Sequence, residues 1–418
     1  MNSSVPPLPT ARGGVRRKTR HVSARDSSGN APAAGAKDVI RPGAFPQTLP
    51  QNDAVCGIYV HVPFCDGKCP YCDFYSIRGS EERMEQYTER IVKEIKYEAE
   101  QSGRTADTLY FGGGTPSLLG AGRLIRIVEA ARRGFGLEHA EITVEANPAE
   151  DLSDFFREIR AAGVNRLSLG LQSANEKELR LLGRRHTAQQ AARCIGQAQN
   201  AGFDNLSLDL MLAVQGQTEE SLRRSIAFCA RAGARHVSAY LLQVEPGTAY
   251  FKQKETLDIP DEDEAAALYL LACGELERNG FHQYEISNFA QGGYEGRHNL
   301  KYWHDEEYLG FGPAAHSFLN GRRFSKKRSL KAFLQGEMPQ EQGKGGDFEE
   351  FAMLALRLTE GLTDARCRER FGCPVPQKIK AAAKRYESAG LTVCTQDGFH
   401  FTPRGFLVSN QLTAEVLF

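Results

Sequence analysis

Three cysteines lie within eight residues of one another, at Cys65, Cys69 and Cys72, in a chain of 418 residues that has ten cysteines. Zinc would need a fourth ligand, usually from a second pair of cysteines, and neither Cys56 nor His61 gives a normal spacing. Three thiolates can instead hold three irons of a 4Fe–4S cluster and leave one iron open to a substrate or cofactor. The spacing therefore predicts an iron–sulfur cluster, because free cysteines otherwise scatter through a core.

The cysteines follow the first of six short runs that are rich in apolar and β-branched residues and predict strands. The runs are Ile58–Val62, Thr108–Phe111, Glu141–Ala146, Arg166–Gln172, Leu206–Leu212 and His236–Leu242. Amphipathic stretches between them predict helices over Glu81–Glu100, Arg123–Arg133, Asp154–Ala162, Thr187–Ala201 and Glu219–Ala232. This alternation predicts a parallel sheet with crossover helices. Because no GxGxxG turn follows the first strand, we expect an α/β fold with a partial (β/α)6 TIM-like barrel over residues 51–295.

The alternation of strands and helices stops near residue 295. Residues 296–347 are predicted to be a connecting segment. The remaining sequence predicts helices and then a hairpin that turns at Asp397-Gly398: Glu349–Leu358, Asp364–Phe371, Pro376–Ala389 and Leu391–Phe401. This order predicts a winged-helix-like α+β domain over residues 348–418. Because it has no strong basic stripe, we expect it to cover or dock rather than to bind nucleic acid.

Glycines and polar residues stand at the C-terminal ends of the predicted strands. Gly112–Thr115 follows the second strand, Glu145 ends the third, Gln172 ends the fourth and Asp209 lies in the fifth. Polar residues that converge at this edge of a barrel indicate a site rather than a core. The glycines would let the backbone approach a bound ligand closely.

The segment Tyr59-Val-His-Val-Pro-Phe-Cys65-Asp-Gly-Lys-Cys69-Pro-Tyr71-Cys72 resembles the radical S-adenosylmethionine superfamily. The signature of that superfamily is CxxxCxΦC with an aromatic Φ, which is Tyr71 in this chain. The resemblance implies a 4Fe–4S cluster whose open iron chelates the amino and carboxylate groups of S-adenosylmethionine. One electron then cleaves the sulfonium to a 5′-deoxyadenosyl radical, and this chemistry needs a pocket away from bulk water.

Within the superfamily, residues 56–319 resemble the coproporphyrinogen dehydrogenase-like branch, and the C-terminal segment resembles the HemN-type cover domain of that branch. The resemblance implies a set of residues that bind S-adenosylmethionine, together with the aromatic Tyr71 of the signature. They are Tyr59, Gly113, Gly114, Thr115, Glu145, Gln172, Arg184 and Asp209. The chain departs from the branch at Asp209–Thr218, where relatives usually have Gly-Leu-Pro before the glycine.

Two groups within this branch differ in their motifs. The oxidative decarboxylase of coproporphyrinogen III has a fourth cysteine two residues after the triad, where this chain has Phe74. The heme chaperone family HemW has the motif HNxxYW, which is present here as His298-Asn299-Leu-Lys-Tyr302-Trp303. The chain therefore resembles the HemW family more closely, and oxygen-independent coproporphyrinogen III oxidase is the alternative.

The motif is chemically suited to heme, because imidazole is a good axial ligand of heme iron and aromatic rings stack on porphyrins. We expect a heme site at His298, Asn299, Tyr302 and Trp303, with His298 as the first candidate ligand. In the alternative, Asn299, Tyr302 and Trp303 only pack the seam between barrel and cover domain. Competing imidazoles stand nearby at His282, His304 and His316.

The resemblance implies heme as cargo, delivered to heme-acceptor proteins of the respiratory chain, with the cluster served by an electron donor. It leaves open whether the cluster and S-adenosylmethionine gate heme transfer or support a homodimer, and whether the protein associates transiently with a membrane. The 52 basic and 52 acidic residues give a formal net charge of zero, which argues against a nucleic-acid partner. No run of about 18 apolar residues occurs, so an integral membrane protein is excluded.

Residues 1–50 differ from the rest of the chain, since they carry eight Lys and Arg but only two acidic residues. Their Pro, Gly, Ala and Ser content predicts a disordered basic extension. No hydrophobic signal segment opens the chain, and clustered cysteines are unlike a secreted disulfide framework. We therefore expect a cytoplasmic protein. If residues 1–50 are a transit segment, the location would instead be the mitochondrial matrix.

Overall fold

The structure is a computed structural model that describes residues 55–148 and 151–418. The basic extension over residues 1–50 lies outside the described residues, together with both interpretations of it. Within the described part of the chain, every helix is too short or too polar to cross a membrane.

Six parallel strands form the centre of one sheet, and each corresponds to a predicted run. They are β1 Val55–Val62, β2 Thr105–Gly113, β3 Glu141–Ala146, β4 Arg166–Gln172, β5 Asn205–Leu212 and β6 His236–Leu241. Each strand pairs in parallel with the next one along the chain. The order of the described strands continues beyond β1 and beyond β6 instead of joining the two. The predicted α/β fold with a partial (β/α)6 barrel is therefore confirmed.

Helices cross over between these strands and cover one face of the sheet. They are α1 Glu81–Ser102, α2 Ala121–Phe135, α3 Ser153–Ala161, α4 Glu176–Leu181, α5 Ala188–Asn200 and α6 Glu219–Arg231, with a 3-10 turn at Pro116–Leu119. Local chemistry sets their ends. The side chain of Ser80 accepts a hydrogen bond from the backbone of Arg83 at the start of α1, and the helix stops at Gly103, which has a φ of 61°. Thr187 and Thr218 begin α5 and α6 with capping boxes.

The two faces of the strands differ in chemistry, as alternation along β1 illustrates. Ile58, Val60 and Val62 pack into the main apolar core, whereas Tyr59 clusters with Tyr110 and an alanine on the other face. Successive strand residues point to opposite faces. The inner face of the barrel is therefore lined by polar and aromatic side chains, and this face holds the candidate site.

Residues 242–347 hold four further helices and six short strands, and these strands extend the sheet past both ends of the six-stranded centre. The elements are α7 Ala249–Lys252, α8 Glu262–Arg278, β7 His282–Gln283, β8 Asn288–Ala290, α9 Arg297–Trp303, β9 Tyr308–Phe311, β10 His316–Leu319, β11 Arg322–Ser325, α10 Leu330–Leu334 and β12 Gln340–Lys344. β8 pairs antiparallel with β6, and β9 pairs parallel with β1. The segment 296–347, expected to be a connection, thus contributes four strands. These strands have only four or five residues each, so no long apolar run marks them in the sequence.

The C-terminal residues form a separate small sheet with helices around it. The elements are α11 Phe348–Ala355, β13 Leu362–Thr363, α12 Asp364–Phe371, α13 Gln377–Lys384, β14 Thr392–Cys394, β15 Gly398–Phe401, α14 Pro403–Leu407 and α15 Ser409–Leu417. β15 lies between β13 and β14 in an antiparallel sheet. The predicted order of helices followed by a hairpin is present, and α14 and α15 follow it.

A buried ion network attaches this C-terminal part to the sheet. The carboxylate of Asp305 accepts hydrogen bonds from Arg370, with an N···O distance of 2.6 Å, and from Arg323, with a distance of 2.8 Å. Arg323 also donates to Glu350 on α11 at 2.7 Å. Removing one member of such a buried network leaves an uncompensated charge. The network therefore joins the turn after α9 to β11, α11 and α12.

Candidate functional site

The three cysteines line one cavity at the C-terminal edge of the parallel strands, with a volume of about 160 Å³. They lie on the loop that follows β1. The loop is closed at its base because the backbone nitrogen of Cys65 donates to Ile77 and that of Ile77 donates to Pro63. All three thiols are half-buried and free of disulfides. Three thiols on one loop around one cavity have the chemistry of an iron–sulfur donor set, although within residues 55–148 and 151–418 no three Cys, His, Asp or Glu side chains form a group that could hold a single metal ion.

Two ion pairs hold this loop from outside. Arg185 lies 3.5 Å from the carboxylate of Asp66, and Arg328 lies 3.3 Å from that of Asp73. Phe74, which stands where the decarboxylase has its fourth cysteine, accepts a hydrogen bond at its carbonyl from Lys68 at 3.1 Å. The loop is therefore contacted within the triad at Asp66 and directly after it at Asp73, and position 74 offers no thiol.

Seven of the nine residues predicted to bind S-adenosylmethionine line the same cavity. They are Gly113, Gly114, Thr115, Glu145, Gln172, Arg184 and Asp209. The strands explain this convergence, because parallel strands deliver the residues at their C-terminal ends to one edge of the sheet.

The glycines are required where β2 passes the cysteine loop. A Cβ atom on Gly114 would lie 2.4 Å from the carbonyl oxygen of Phe64, and one on Gly113 would lie 2.5 Å from the ring of His61. Gly113 also has a φ of 108°, which side chains disfavour. The backbone of Gly114 donates to Val62 and that of Thr115 to Phe64, both at 2.7 Å. A half-buried backbone segment thus borders the cavity beside Cys65.

Gln172 is the strongest sign of a missing ligand. The residue is 1% exposed, and among the described residues neither its amide nitrogen nor its amide oxygen has a hydrogen-bond partner. Its φ of 68° and a register shift between Leu169 and Gln172 turn the end of β4 away from a regular strand. A buried amide without partners costs about 1–3 kcal/mol, so a polar ligand in the cavity would relieve that cost.

Arg184 spans the cavity wall beside Gln172. Its guanidinium donates to Asn147 at 2.6 Å, to the carbonyl of Gly170 at 2.8 Å and to the sulfur of Cys69 at 3.6 Å. A Cβ atom on Gly170 would lie 3.0 Å from this guanidinium and 3.1 Å from the Gln172 amide. Asn147 was missed by the sequence analysis, although it follows β3 two residues after Glu145 as another polar residue at a strand end.

Two buried carboxylates complete the wall. Glu145 accepts a hydrogen bond from the hydroxyl of Tyr110 at 2.7 Å, and Asp209 accepts one from Ser168 at 3.1 Å. Both carboxylates are almost fully buried. They would favour a positively charged ligand such as a sulfonium or an amino group.

Tyr59 and Tyr71 lie behind the cavity wall rather than on it. The hydroxyl of Tyr59 is bonded to His61 at 3.1 Å, and the other ring nitrogen of His61 donates to the carbonyl of Tyr75 at 2.9 Å. Burial lowers the pKa of His61 to about 4, so this ring is neutral. The ring packs directly against Gly113. Tyr71 packs in an apolar cluster with Tyr250, at a distance of 6.1 Å between ring centroids.

His298 lies at the opposite, N-terminal end of the barrel and is 1% exposed. Its ring nitrogens are hydrogen-bonded to the hydroxyls of Thr108 and Tyr302, each at 2.8 Å, and its backbone donates to Glu141. Burial, followed by the charges of nearby cations, lowers its pKa to about 3. Both nitrogens are therefore engaged within the protein, and ligation of iron through His298 would break one of these bonds.

The rest of the HNxxYW motif lies at the seam between the barrel and the C-terminal part. α9 packs against β2 and α11. Asn299 and Tyr302 are buried, and the Tyr302 ring meets Tyr308 edge-on at 4.5 Å, while Trp303 is half-buried. Among the competing imidazoles, His282 pairs with Glu277 and His304 with Glu306, whereas His316 is exposed on β10.

Comparison with known proteins identifies both parts of the chain. Residues 59–229 match the Radical SAM superfamily, and residues 347–408 match the HemN C-terminal domain. Coproporphyrinogen III oxidase HemN from Escherichia coli, a radical SAM enzyme, shares the fold with a TM-score of 0.74, covering 90% of this chain and 91% of that chain at 21% identity. The fold and the cysteine site thus define a radical S-adenosylmethionine protein.

Sequence relatives narrow this class. The heme chaperone HemW of Bacillus subtilis (strain 168) is 32% identical over 369 residues, which cover 85% of this chain and 97% of the relative. HemW of Escherichia coli (strain K12) is 34% identical, covering 85% and 96%. A mitochondrial radical S-adenosyl methionine domain-containing protein 1 of Danio rerio is 32% identical, covering 75% and 76%. The chain belongs to the heme chaperone HemW family.

Proposed function

We propose that this protein binds heme and delivers it to acceptor proteins, and that Cys65, Cys69 and Cys72 hold a 4Fe–4S cluster with S-adenosylmethionine beside it. The observation that carries the proposal is the near-complete coverage of a heme chaperone from Bacillus subtilis, 97% of whose length aligns with this chain. The cavity supports the cluster and cofactor independently, since it joins three thiols to a buried amide that lacks a partner.

When bound, the cluster supplies single electrons and one open coordination position. The chain's own residues would bind and orient the cofactor. The backbone segment at Gly113–Thr115 would receive its methionine end, and the amide of Gln172 would donate and accept hydrogen bonds. The carboxylates of Glu145 and Asp209 would attract its positive charge.

For heme, the HNxxYW segment remains the proposed contact region, with His298 as the first candidate ligand. The hydrogen bonds of His298 imply that α9 must move before this imidazole could reach iron. His316 is the second candidate, because it is exposed on β10 and would need no such movement.

Heme titration of three alanine variants tests these assignments. A ligating imidazole shifts the Soret band, so His298→Ala should abolish or alter that shift, whereas His316→Ala and His282→Ala, which remove competing imidazoles, should leave it unchanged. A shift lost only in His316→Ala, or only in His282→Ala, would preserve heme binding and reject His298. An unshifted Soret band in the wild-type chain would contradict ligation by either residue.

Partners and location follow from the same proposal. The acceptors are heme-acceptor proteins of the respiratory chain, and an electron donor serves the cluster, with no nucleic-acid partner. Transient membrane association and a homodimer are part of the proposal. The location is the cytoplasm, or the mitochondrial matrix if residues 1–50 are a transit segment, an alternative that the mitochondrial relative from Danio rerio supports.

The fold shared with HemN favours a second function, oxygen-independent oxidation of coproporphyrinogen III. Phe74 argues against it, because the extra cysteine of the decarboxylase is absent at that position. Complementation of a decarboxylase-deficient strain under anaerobic conditions separates the two functions. Rescue would favour the oxidase, and failure to rescue by a chain that binds heme would favour the chaperone.

A further inference from the structure

Two of the three cysteine sulfurs are contacted by polar side chains of the cavity wall. The hydroxyl oxygen of Thr115 lies 3.5 Å from the sulfur of Cys65, and the guanidinium of Arg184 lies 3.6 Å from that of Cys69. Hydrogen bonds to the sulfurs are among the factors that set the reduction potential of an iron–sulfur cluster.

Asn147 links these two contacts into one hydrogen-bonded network. Its amide nitrogen donates to the Thr115 hydroxyl at 2.9 Å, and its amide oxygen accepts from Arg184 at 2.6 Å. Because a guanidinium can only donate, the amide oxygen must face Arg184 and the nitrogen must face Thr115. The Thr115 oxygen is thus occupied as an acceptor, and its own proton remains available for a third atom.

The sulfur of Cys65 is the atom placed to receive that proton. As a free thiol, Cys65 donates to the carbonyl of Gly67 at 3.1 Å. A thiolate bound to iron has no proton and can only accept. In the metal-bound protein, the Thr115 hydroxyl is therefore the donor and Cys65 is the acceptor.

We propose that Asn147 is a positioning residue that directs the Thr115 hydroxyl toward Cys65 and the Arg184 guanidinium toward Cys69. Both hydrogen bonds stabilise negative charge on the sulfurs, which grows when the cluster is reduced, so together they raise its reduction potential. This inference rests on the proposed cluster on the cysteine triad and does not depend on heme.

The substitution Asn147→Asp reverses the direction of the hydrogen bond between residue 147 and Thr115 without changing the shape of the side chain. An aspartate accepts hydrogen bonds from both neighbours, so Thr115 turns its proton toward residue 147 and Cys65 loses its donor. We expect a lower midpoint potential in the full-length, anaerobically reconstituted protein, measured by redox titration followed by electron paramagnetic resonance, without S-adenosylmethionine. The added negative charge also lowers the potential, so the variant alone does not isolate the hydrogen bond.

A double-mutant cycle separates the two effects. Thr115→Val removes the hydroxyl, so Asn147→Asp in that background retains its charge but has no proton to redirect. We expect a smaller fall in potential in the Thr115→Val background than in the wild-type background, with Thr115→Ser behaving as wild type. Equal falls in both backgrounds would overturn the role of Asn147.

Iron analysis of each protein distinguishes failure of the proposed cluster from failure of the proposed role of Asn147. A wild-type chain that takes up no iron on reconstitution would overturn the proposed cluster, and this inference with it. Fully loaded variants that show equal falls would overturn this inference alone.

Discussion

Replacing Gln172 with methionine tests whether its buried amide awaits a ligand. Methionine has nearly the same length and no hydrogen-bonding amide, and the unusual φ of residue 172 is common to both proteins. Because both amide atoms lack partners among the described residues, Gln172→Met should remove a penalty of about 1–3 kcal/mol. We expect the free energy of unfolding of the ligand-free chain to rise by about that amount in anaerobic chemical denaturation.

Gln217 provides the matched control. Its amide oxygen accepts from the backbone of Ala213 at 2.7 Å, and its amide nitrogen donates to the carbonyl of Met211 at 3.0 Å. Gln217→Met leaves both backbone groups unpaired, so the free energy of unfolding should fall by about 1–3 kcal/mol. The same substitution should thus raise the free energy of unfolding at position 172 and lower it at position 217.

Affinity for S-adenosylmethionine should move in the other direction. In the wild-type protein the bound ligand satisfies the Gln172 amide, so Gln172→Met should weaken binding by about 1–3 kcal/mol, or roughly 5- to 150-fold in Kd. Calorimetry on the cluster-loaded protein measures this change. A Gln172→Met chain that is destabilised like the Gln217→Met chain, or that keeps wild-type affinity, would refute the reasoning.

Three further predictions concern the cluster, the buried histidine and the ion network. Cys69→Ser should lose the brown colour and iron of the reconstituted protein while Cys194→Ser, in the core, retains both; an iron-loaded Cys69→Ser chain would contradict the triad. The pKa of His298 is lowered to about 3 in the folded chain, so protonation of the unfolded chain, with a pKa of about 6.5, removes about 2 kcal/mol of stability between pH 7 and pH 5. The loss is measured by denaturation at both pH values. In His298→Gln, the loss of stability between pH 7 and pH 5 should be smaller by about 2 kcal/mol. An unchanged pH dependence would show that His298 is not buried as a neutral ring. Asp305→Ala should lower the free energy of unfolding by about 3–5 kcal/mol. Glu341→Gln, which breaks an exposed ion pair with β11, should lower it by only about 0–1 kcal/mol. Equal losses would show that the Asp305 network is not buried in solution.

The sequence predicted the barrel well because its strands and helices carry strong local signals. All six central strands match predicted runs, and Ser80, Thr187 and Thr218 cap helices close to where the amphipathic stretches begin. The four strands at residues 308–344 gave no such signal. Each has only four or five residues. β9 pairs with the distant β1, and β10, β11 and β12 follow from it by pairing with their neighbours along the chain, so the placement of all four depends on tertiary contacts.

The sequence predicted which residues form the site better than it predicted their geometry. Residue types at strand ends indicated the cavity wall, but the left-handed backbone of Gln172 arises from the irregular pairing of β4 and has no sequence signal. The sequence also could not show that Tyr59 acts through His61. For His298, the motif gave no sign that both ring nitrogens already have partners within the fold.

The central claim is that a chain with the fold of a radical S-adenosylmethionine enzyme serves as a heme chaperone. The most direct measurement reconstitutes the full-length protein anaerobically with iron and sulfide, adds S-adenosylmethionine and a reductant, and titrates heme and coproporphyrinogen III in parallel. We predict a shifted Soret band with heme and no protoporphyrinogen from coproporphyrinogen III. Formation of protoporphyrinogen would contradict the chaperone assignment, whatever the heme spectra show.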